Sequence, residues 1–118
     1  MDLYYKSTRN SNLKVTASEA ILKGLAPDGG LFVPEKLPVL GKSMEELKDL
    51  NYQDTAYEVM KCFLTDFTEE ELRNCIEKAY DSKFDDEAIA PLVKVEDTYY
   101  LELFHGATIA FKDMALSI

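Results

Sequence analysis

Lys112 is the side chain of this 118-residue sequence whose setting most invites covalent chemistry. A lysine amine attacks an aldehyde only after losing its proton, and burial or the positive end of a helix favours that loss. The run Tyr99-Tyr100-Leu101-Glu102-Leu103-Phe104 reads as a strand and His105-Gly106-Ala107-Thr108 as a loop. Ala110 to Leu116 then reads as the first turns of a helix, which places Lys112 beside Phe111 at a helix start. Asp113 acts in the opposite sense, because a neighbouring carboxylate stabilises the ammonium form. From the residues alone, a solvated surface lysine explains Lys112 better than a nucleophile does.

The other reactive side chains are few. His105 is the single histidine, and a lone histidine is more often structural than catalytic. Cys62 and Cys75 are expected on apolar helix faces as buried free thiols of a reducing compartment. With no second histidine and no exposed cysteine expected, neither a nucleophilic triad nor a metal site can be assembled. Asp28-Gly29-Gly30 has none of the phosphate-loop spacings and is explained by turn chemistry. The net charge of −9 argues against nucleic acid and acidic membrane surfaces, though not against a small phosphorylated ligand held at a local basic site. No stretch has the length and apolarity of a signal peptide or a membrane span, so a cytoplasmic location is expected.

The elements that must position Lys112 can be read from caps, turns and periodicity. Leu3-Tyr4-Tyr5 suggests a short strand. Thr16-Ala17-Ser18-Glu19 is a capping box ahead of a short helix with Ala20, Ile21 and Leu25 inward, stopped by Gly24 as a left-handed cap. Ala26-Pro27-Asp28-Gly29-Gly30 predicts a tight turn and Leu31-Phe32-Val33 an extended segment, after which Pro34 and Pro38 prevent regular structure. Ser43-Met44-Glu45-Glu46 opens a brief helix. Asn51 caps a longer one with Ala56, Val59, Met60, Phe63 and Leu64 at helical spacing. Thr68-Glu69-Glu70-Glu71 starts a third, with Leu72, Cys75, Ile76 and Ala79 as its buried stripe. Leu92 to Val95 and Tyr99 to Phe104 form a hairpin about Glu96-Asp97-Thr98. The final helix shows no stop signal before Ile118, the pattern of a chain that continues into an α/β domain.

The segment from Leu101 to Leu116, LELFHGATIAFKDMAL, resembles the cofactor-lysine segment of the threonine synthase family, which typically reads LELFHGPT-x-AFKD-x-AL. Tyr5 to Arg9 (YKSTR), Ser18 to Leu22 and Gly24 to Pro34 resemble that family's earlier blocks, in order and at similar spacing. One departure is Ala107, where the family usually has a proline that would fix the backbone of the loop. Other enzymes of the same cofactor fold type resemble this chain less, since their lysine follows an Asn-x-x-Gly-Ser pattern.

The resemblance implies a fold-type-II pyridoxal phosphate (PLP) enzyme, with two α/β domains around the active site. This segment would be an α+β region of short helices and a hairpin leading into the first turns of the cofactor domain. Residues 1–90 would form an N-terminal extension domain and 91–118 the truncated start of the PLP domain. The implied activity is that of a carbon–oxygen lyase acting on a phosphate ester: O-phospho-L-homoserine and water give L-threonine and phosphate. The alternatives are a related phospho-lyase that releases a keto acid or, for the isolated segment, a non-catalytic folding or interaction module. Lys112 would hold PLP and shuttle protons, Phe111 would pack on the cofactor ring, and His105 and Thr108 would line the substrate side. The phosphate cradle and the partner of the ring nitrogen are expected in the remainder of the chain. The isolated 118 residues are therefore expected to be inactive and to self-associate through the β-rich run from Leu92 to Phe104.

Overall fold

Side-chain caps start three helices of the computed structural model, which describes residues 2–118. Strand β1 (Tyr5–Ser7) precedes helix α1 (Ala17–Lys23). The Thr16 hydroxyl accepts the Glu19 N–H at 3.3 Å and the Glu19 carboxylate accepts the Thr16 N–H at 2.9 Å, so the expected capping box is formed. Strand β2 (Phe32–Pro34) and the one-turn helix α2 (Met44–Leu47) follow. Asn51 accepts the Asp54 N–H at 2.8 Å at the start of α3 (Tyr52–Phe63). Thr68 and Glu71 repeat the reciprocal cap, at 3.2 and 2.8 Å, on α4 (Glu69–Ala79). The hairpin of β3 (Leu92–Val95) and β4 (Thr98–Leu101) then leads to α5 (Asp113–Leu116).

The chain forms two compact units, and α3 and α4 each contribute residues to both. The first contains residues up to Ser43 together with Glu58–Leu72. In it β1 and β2 pair antiparallel, with Lys6 opposite Val33, and Tyr5 also bridges Val15. Hydrogen bonds tie this sheet and its neighbours to the end of α3 and the chain after it. The Tyr5 hydroxyl donates to the Phe63 carbonyl at 3.0 Å, and the Leu3 N–H to the Thr65 hydroxyl at 2.9 Å. Asp66 accepts both the N–H and the hydroxyl of Ser18. Leu3, Val15, Ala17, Ala20, Ala26 and Leu72 are its buried apolar residues.

The second unit comprises Met44–Tyr57 and Arg73–Ile118. Its core is Ile76, Ala79, Tyr80, Phe84, Ile89 and Tyr57. The Tyr80 ring meets Tyr52 edge-on with centroids 4.9 Å apart, and its hydroxyl donates to the Met114 carbonyl at 2.6 Å. One aromatic side chain just after α4 thus connects to the start of α5. Burial, followed by the neighbouring Tyr80, pushes the Tyr52 phenol up to about 12. In the hairpin Val93 faces Tyr100 and Lys94 faces Tyr99, and all eight strand residues are exposed. No helix among the described residues is long and apolar enough to cross a membrane.

This is the expected α+β arrangement of short helices and a hairpin, with several corrections of detail. Strand β1 starts at Tyr5, not Leu3, and β4 ends at Leu101, short of Phe104. In α1 the inward face is Ala17 and Ala20, while Ile21 and Leu25 are exposed, because a seven-residue helix covers only one narrow face. In α3 the expected apolar residues are half-buried and Tyr57 is the buried one. Leu72, Ile76 and Ala79 are the buried stripe of α4, but Cys75 is exposed and Cys62 only half-buried. Spacings of four and then three residues complete that stripe, so Cys75 sits on its flank. Gly24 and Gly29 take positive φ, of 69° and 77°, whereas Gly30 does not. The final helix begins at Asp113, not Ala110, for a reason found in the loop before it.

Candidate active-site loop

The loop from His105 to Lys112 is held by carboxylates. Asp113 is buried, and its two oxygens take both donors of Thr108: the N–H at 2.8 Å and the hydroxyl at 2.6 Å. The backbone closes the same turn, with the Ile109 N–H donating to the Gly106 carbonyl at 3.1 Å and the Asp113 N–H to the Ala110 carbonyl at 3.1 Å. These bonds keep residues 110–112 in turns and delay the helix to Asp113. Ile109 stands at φ 60°, a conformation disfavoured for a β-branched residue. Gly106 has no room for a side chain, since a Cβ there would lie 2.6 Å from the Asp113 Cβ and 2.7 Å from its Oδ2. Hydrogen bonds from Thr108, first the hydroxyl and then the N–H, hold the Asp113 carboxyl below the usual carboxylate range.

His105 is locked one step earlier. Its Nδ1 lies 2.5 Å from Asp85 and its Nε2 2.8 Å from Glu102, while its carbonyl accepts the Asp85 N–H at 3.0 Å. Phe104 stacks on the imidazole with centroids 4.6 Å apart. With Glu102 and then Asp85 hydrogen-bonded to the ring, its pKa is raised above the usual value, which favours imidazolium.

Lys112 is exposed, and its ammonium makes no hydrogen bond or ion pair among the described residues. Phe111 beside it is 73% exposed. The four residues singled out by sequence therefore fall into two pairs. Phe111 and Lys112 stand outward and uncommitted, whereas His105 and Thr108 are engaged by carboxylates. Asp113, which the sequence presents only as a charge beside Lys112, completes this arrangement with Gly106, Asp85 and Glu102, to which the sequence assigns no role. The Asp113–Thr108 spacing is no capping box, and Asp85 is 20 residues from His105, so neither pairing has a local pattern to betray it.

A separate cleft of about 390 Å³ in the same unit is lined by Tyr52, Tyr80 and Phe84 together with Asp81, Asp85 and Asp86. Its three aspartates are already engaged: Asp81 with Lys83, Asp85 with His105, and Asp86 with the Ala88 N–H. It does not include Lys112.

The model of the family described as threonine synthase N terminus matches residues 4–80. A threonine synthase of Eremothecium gossypii is 43% identical over 126 residues, covering 98% of this chain and 24% of that protein. The crystal structure of threonine synthase from yeast superimposes with a TM-score of 0.87 at 36% identity, over 96% of this chain and 24% of the other. A PLP-bound threonine synthase from Brucella melitensis gives a TM-score of 0.84 at 34% identity, over 96% of this chain and 25% of the other. The chain thus spans about a quarter of the length of the relatives it matches.

Proposed function

The chain belongs to the threonine synthase family, by the match over residues 4–80, and from that premise we propose that it is the N-terminal part of an enzyme converting O-phospho-L-homoserine and water to L-threonine and phosphate. The reaction class is that of a PLP-dependent carbon–oxygen lyase acting on a phosphate ester, in the cytoplasm. The observation that carries the reading is Lys112, an exposed amine with no polar partner among the described residues, at the end of a loop whose other polar side chains are committed.

The residues present fit PLP. An aldehyde-bearing cofactor needs a primary amine that is not sequestered in an ion pair, and Lys112 supplies one. Its pyridine ring needs an apolar surface, and Phe111 offers an exposed aromatic ring next in the chain. When bound, PLP supplies the electron sink for the reaction. Lys112 Nζ would hold the cofactor and would move protons at the substrate's Cα and Cβ. His105 and Thr108 enter as residues that hold the loop under Lys112. Their assignment to the substrate side rests on the family resemblance.

Residues 1–90 are proposed as the extension domain of the intact enzyme and 91–118 as the start of its PLP domain. The other three quarters of the relatives' length would supply the phosphate cradle and the partner of the ring nitrogen. For that reason the 118 residues alone are proposed to be inactive, and to self-associate through the exposed strands β3 and β4.

The test is to assay the full-length protein with PLP for phosphate release from O-phosphohomoserine and to identify the carbon product. Threonine in equal amount to phosphate, abolished by Lys112→Ala, is expected. A keto acid product, or unchanged turnover in the variant, overturns the reading.

A further inference from the structure

We infer that Asp113 is a positioning residue for Lys112, acting through Thr108 rather than through its charge. The inference rests on the proposed cofactor role of Lys112. A carboxylate next in sequence to a reactive lysine invites a simpler reading, in which it stabilises the ammonium or exchanges protons with the amine. The geometry points elsewhere. Both Asp113 oxygens are already occupied by the Thr108 hydroxyl and N–H. The carboxylate therefore closes a five-residue loop whose far end is Thr108 and whose last residue is Lys112.

Three further observations show that this loop is held rather than merely collapsed. Gly106 leaves room for the Asp113 side chain that no other residue would leave, since a Cβ would meet it at 2.6 Å. Ile109 stands at a positive φ of 60°, which a β-branched residue keeps only where its surroundings over-determine the backbone. The Lys112 carbonyl accepts from both Ala115 and Leu116, at 3.1 and 3.0 Å, so the backbone of the lysine is anchored on its other side as well. The result is a fixed main chain carrying two uncommitted side chains, Phe111 and Lys112. A lysine must attack from a defined position, and a main chain held on both sides limits the side chain's search to its own rotamers.

The experiment uses the full-length protein with PLP and the variants Thr108→Val, Thr108→Ser, Gly106→Ala and Asp113→Asn. For each, PLP affinity, the pH midpoint of the visible band of the lysine-bound cofactor, and the melting temperature of the apo-protein are measured. Thr108→Val removes one hydrogen bond and leaves the Asp113 charge in place. It is expected to weaken PLP binding about fivefold, the equivalent of one net hydrogen bond of about 1 kcal/mol, and to move the midpoint. Thr108→Ser keeps both donors and should match the parent in affinity and midpoint. Gly106→Ala pushes on Asp113 from the other side of the loop and should act in the same direction as Thr108→Val, so the inference remains testable if either variant fails to fold. Melting temperatures that fall with PLP affinity and midpoint unchanged would reduce the clasp to a stability element and overturn the inference. An effect confined to Asp113→Asn overturns it in favour of a charge role. Failure of the parent to bind PLP at Lys112 is a different outcome, which rejects the cofactor reading itself.

Discussion

The turn around Asp28 and the loop before Lys112 use the same device to different ends. In both, an aspartate accepts a hydroxyl and a backbone N–H: Asp28 from Ser7 and Gly30, at 2.7 and 2.9 Å, and Asp113 from Thr108 alone, at 2.6 and 2.8 Å. In both, a glycine clears the space, since a Cβ at Gly30 would lie 2.1 Å from the Ser7 hydroxyl and one at Gly106 2.6 Å from the Asp113 Cβ. The Ser7 hydroxyl, 2% of that residue being exposed, also accepts the Arg9 N–H at 3.1 Å, while Arg9 donates to the Asp28 carbonyl at 3.0 Å. The first clasp thus joins β1 to the turn before β2. The second clasp spends its groups on the main chain and leaves Phe111 and Lys112 exposed. An aspartate–hydroxyl–glycine clasp is therefore a way to fix backbone, and what it leaves uncommitted separates a fold element from a site.

The comparison predicts a graded series. Gly30→Ala should be the most damaging, with the Cβ driven into a buried hydroxyl. A loss of about 3 kcal/mol, the upper end for overpacking, should appear in the denaturant unfolding of the full-length protein. Ser7→Ala should cost about 1 kcal/mol in the same measurement, because one hydrogen-bonding group is deleted without a clash. Gly106→Ala should lower the melting temperature less than Gly30→Ala, since its Cβ would meet Asp113 at 2.6 Å where that of Gly30 would meet Ser7 at 2.1 Å, yet it should disturb PLP binding more. If the two glycine variants changed PLP affinity equally, the distinction between the clasps would be broken.

The smallest effect concerns pH. Hydrogen bonds to Glu102 and Asp85 raise the pKa of His105 above 6.5, so the folded state binds this proton more tightly than the unfolded state. Its contribution is fully present below pH 6.5 and is lost as pH rises through the elevated folded value. His105→Gln should flatten the dependence of melting temperature on pH in that range. Asp28 and Asp113, both lowered mainly by their hydroxyl partners, act in the opposite sense: their contribution is present above about 3.8 and is lost as pH falls below it. Acid unfolding should therefore start at a higher pH in Asp28→Asn than in the parent.

Much of this was legible in the sequence where the interaction is local. The Thr16–Glu19 and Thr68–Glu71 caps, the turn before β2 and the β3–β4 hairpin all follow from spacings of a few residues. The misassigned burial of Ile21, Leu25 and Cys75 came from periodicity, which indicates an apolar stripe but not how much of it the rest of the structure covers. The site divided in the same way. Lys112 was found only through the motif that surrounds it, because nothing in a single lysine encodes its freedom from partners. The Asp85–His105 contact joins chain segments with no shared pattern, and the start of α5 at Asp113 reflects a side chain recruited backwards to Thr108. Both are products of tertiary structure.

The most direct test of the account is to reduce the PLP-loaded full-length protein with borohydride and map the pyridoxyl group by peptide sequencing. Label on the peptide containing Phe111-Lys112-Asp113, at Lys112, with none in Lys112→Ala, is the predicted result. Label on any other lysine, or label that persists in the variant, would contradict it.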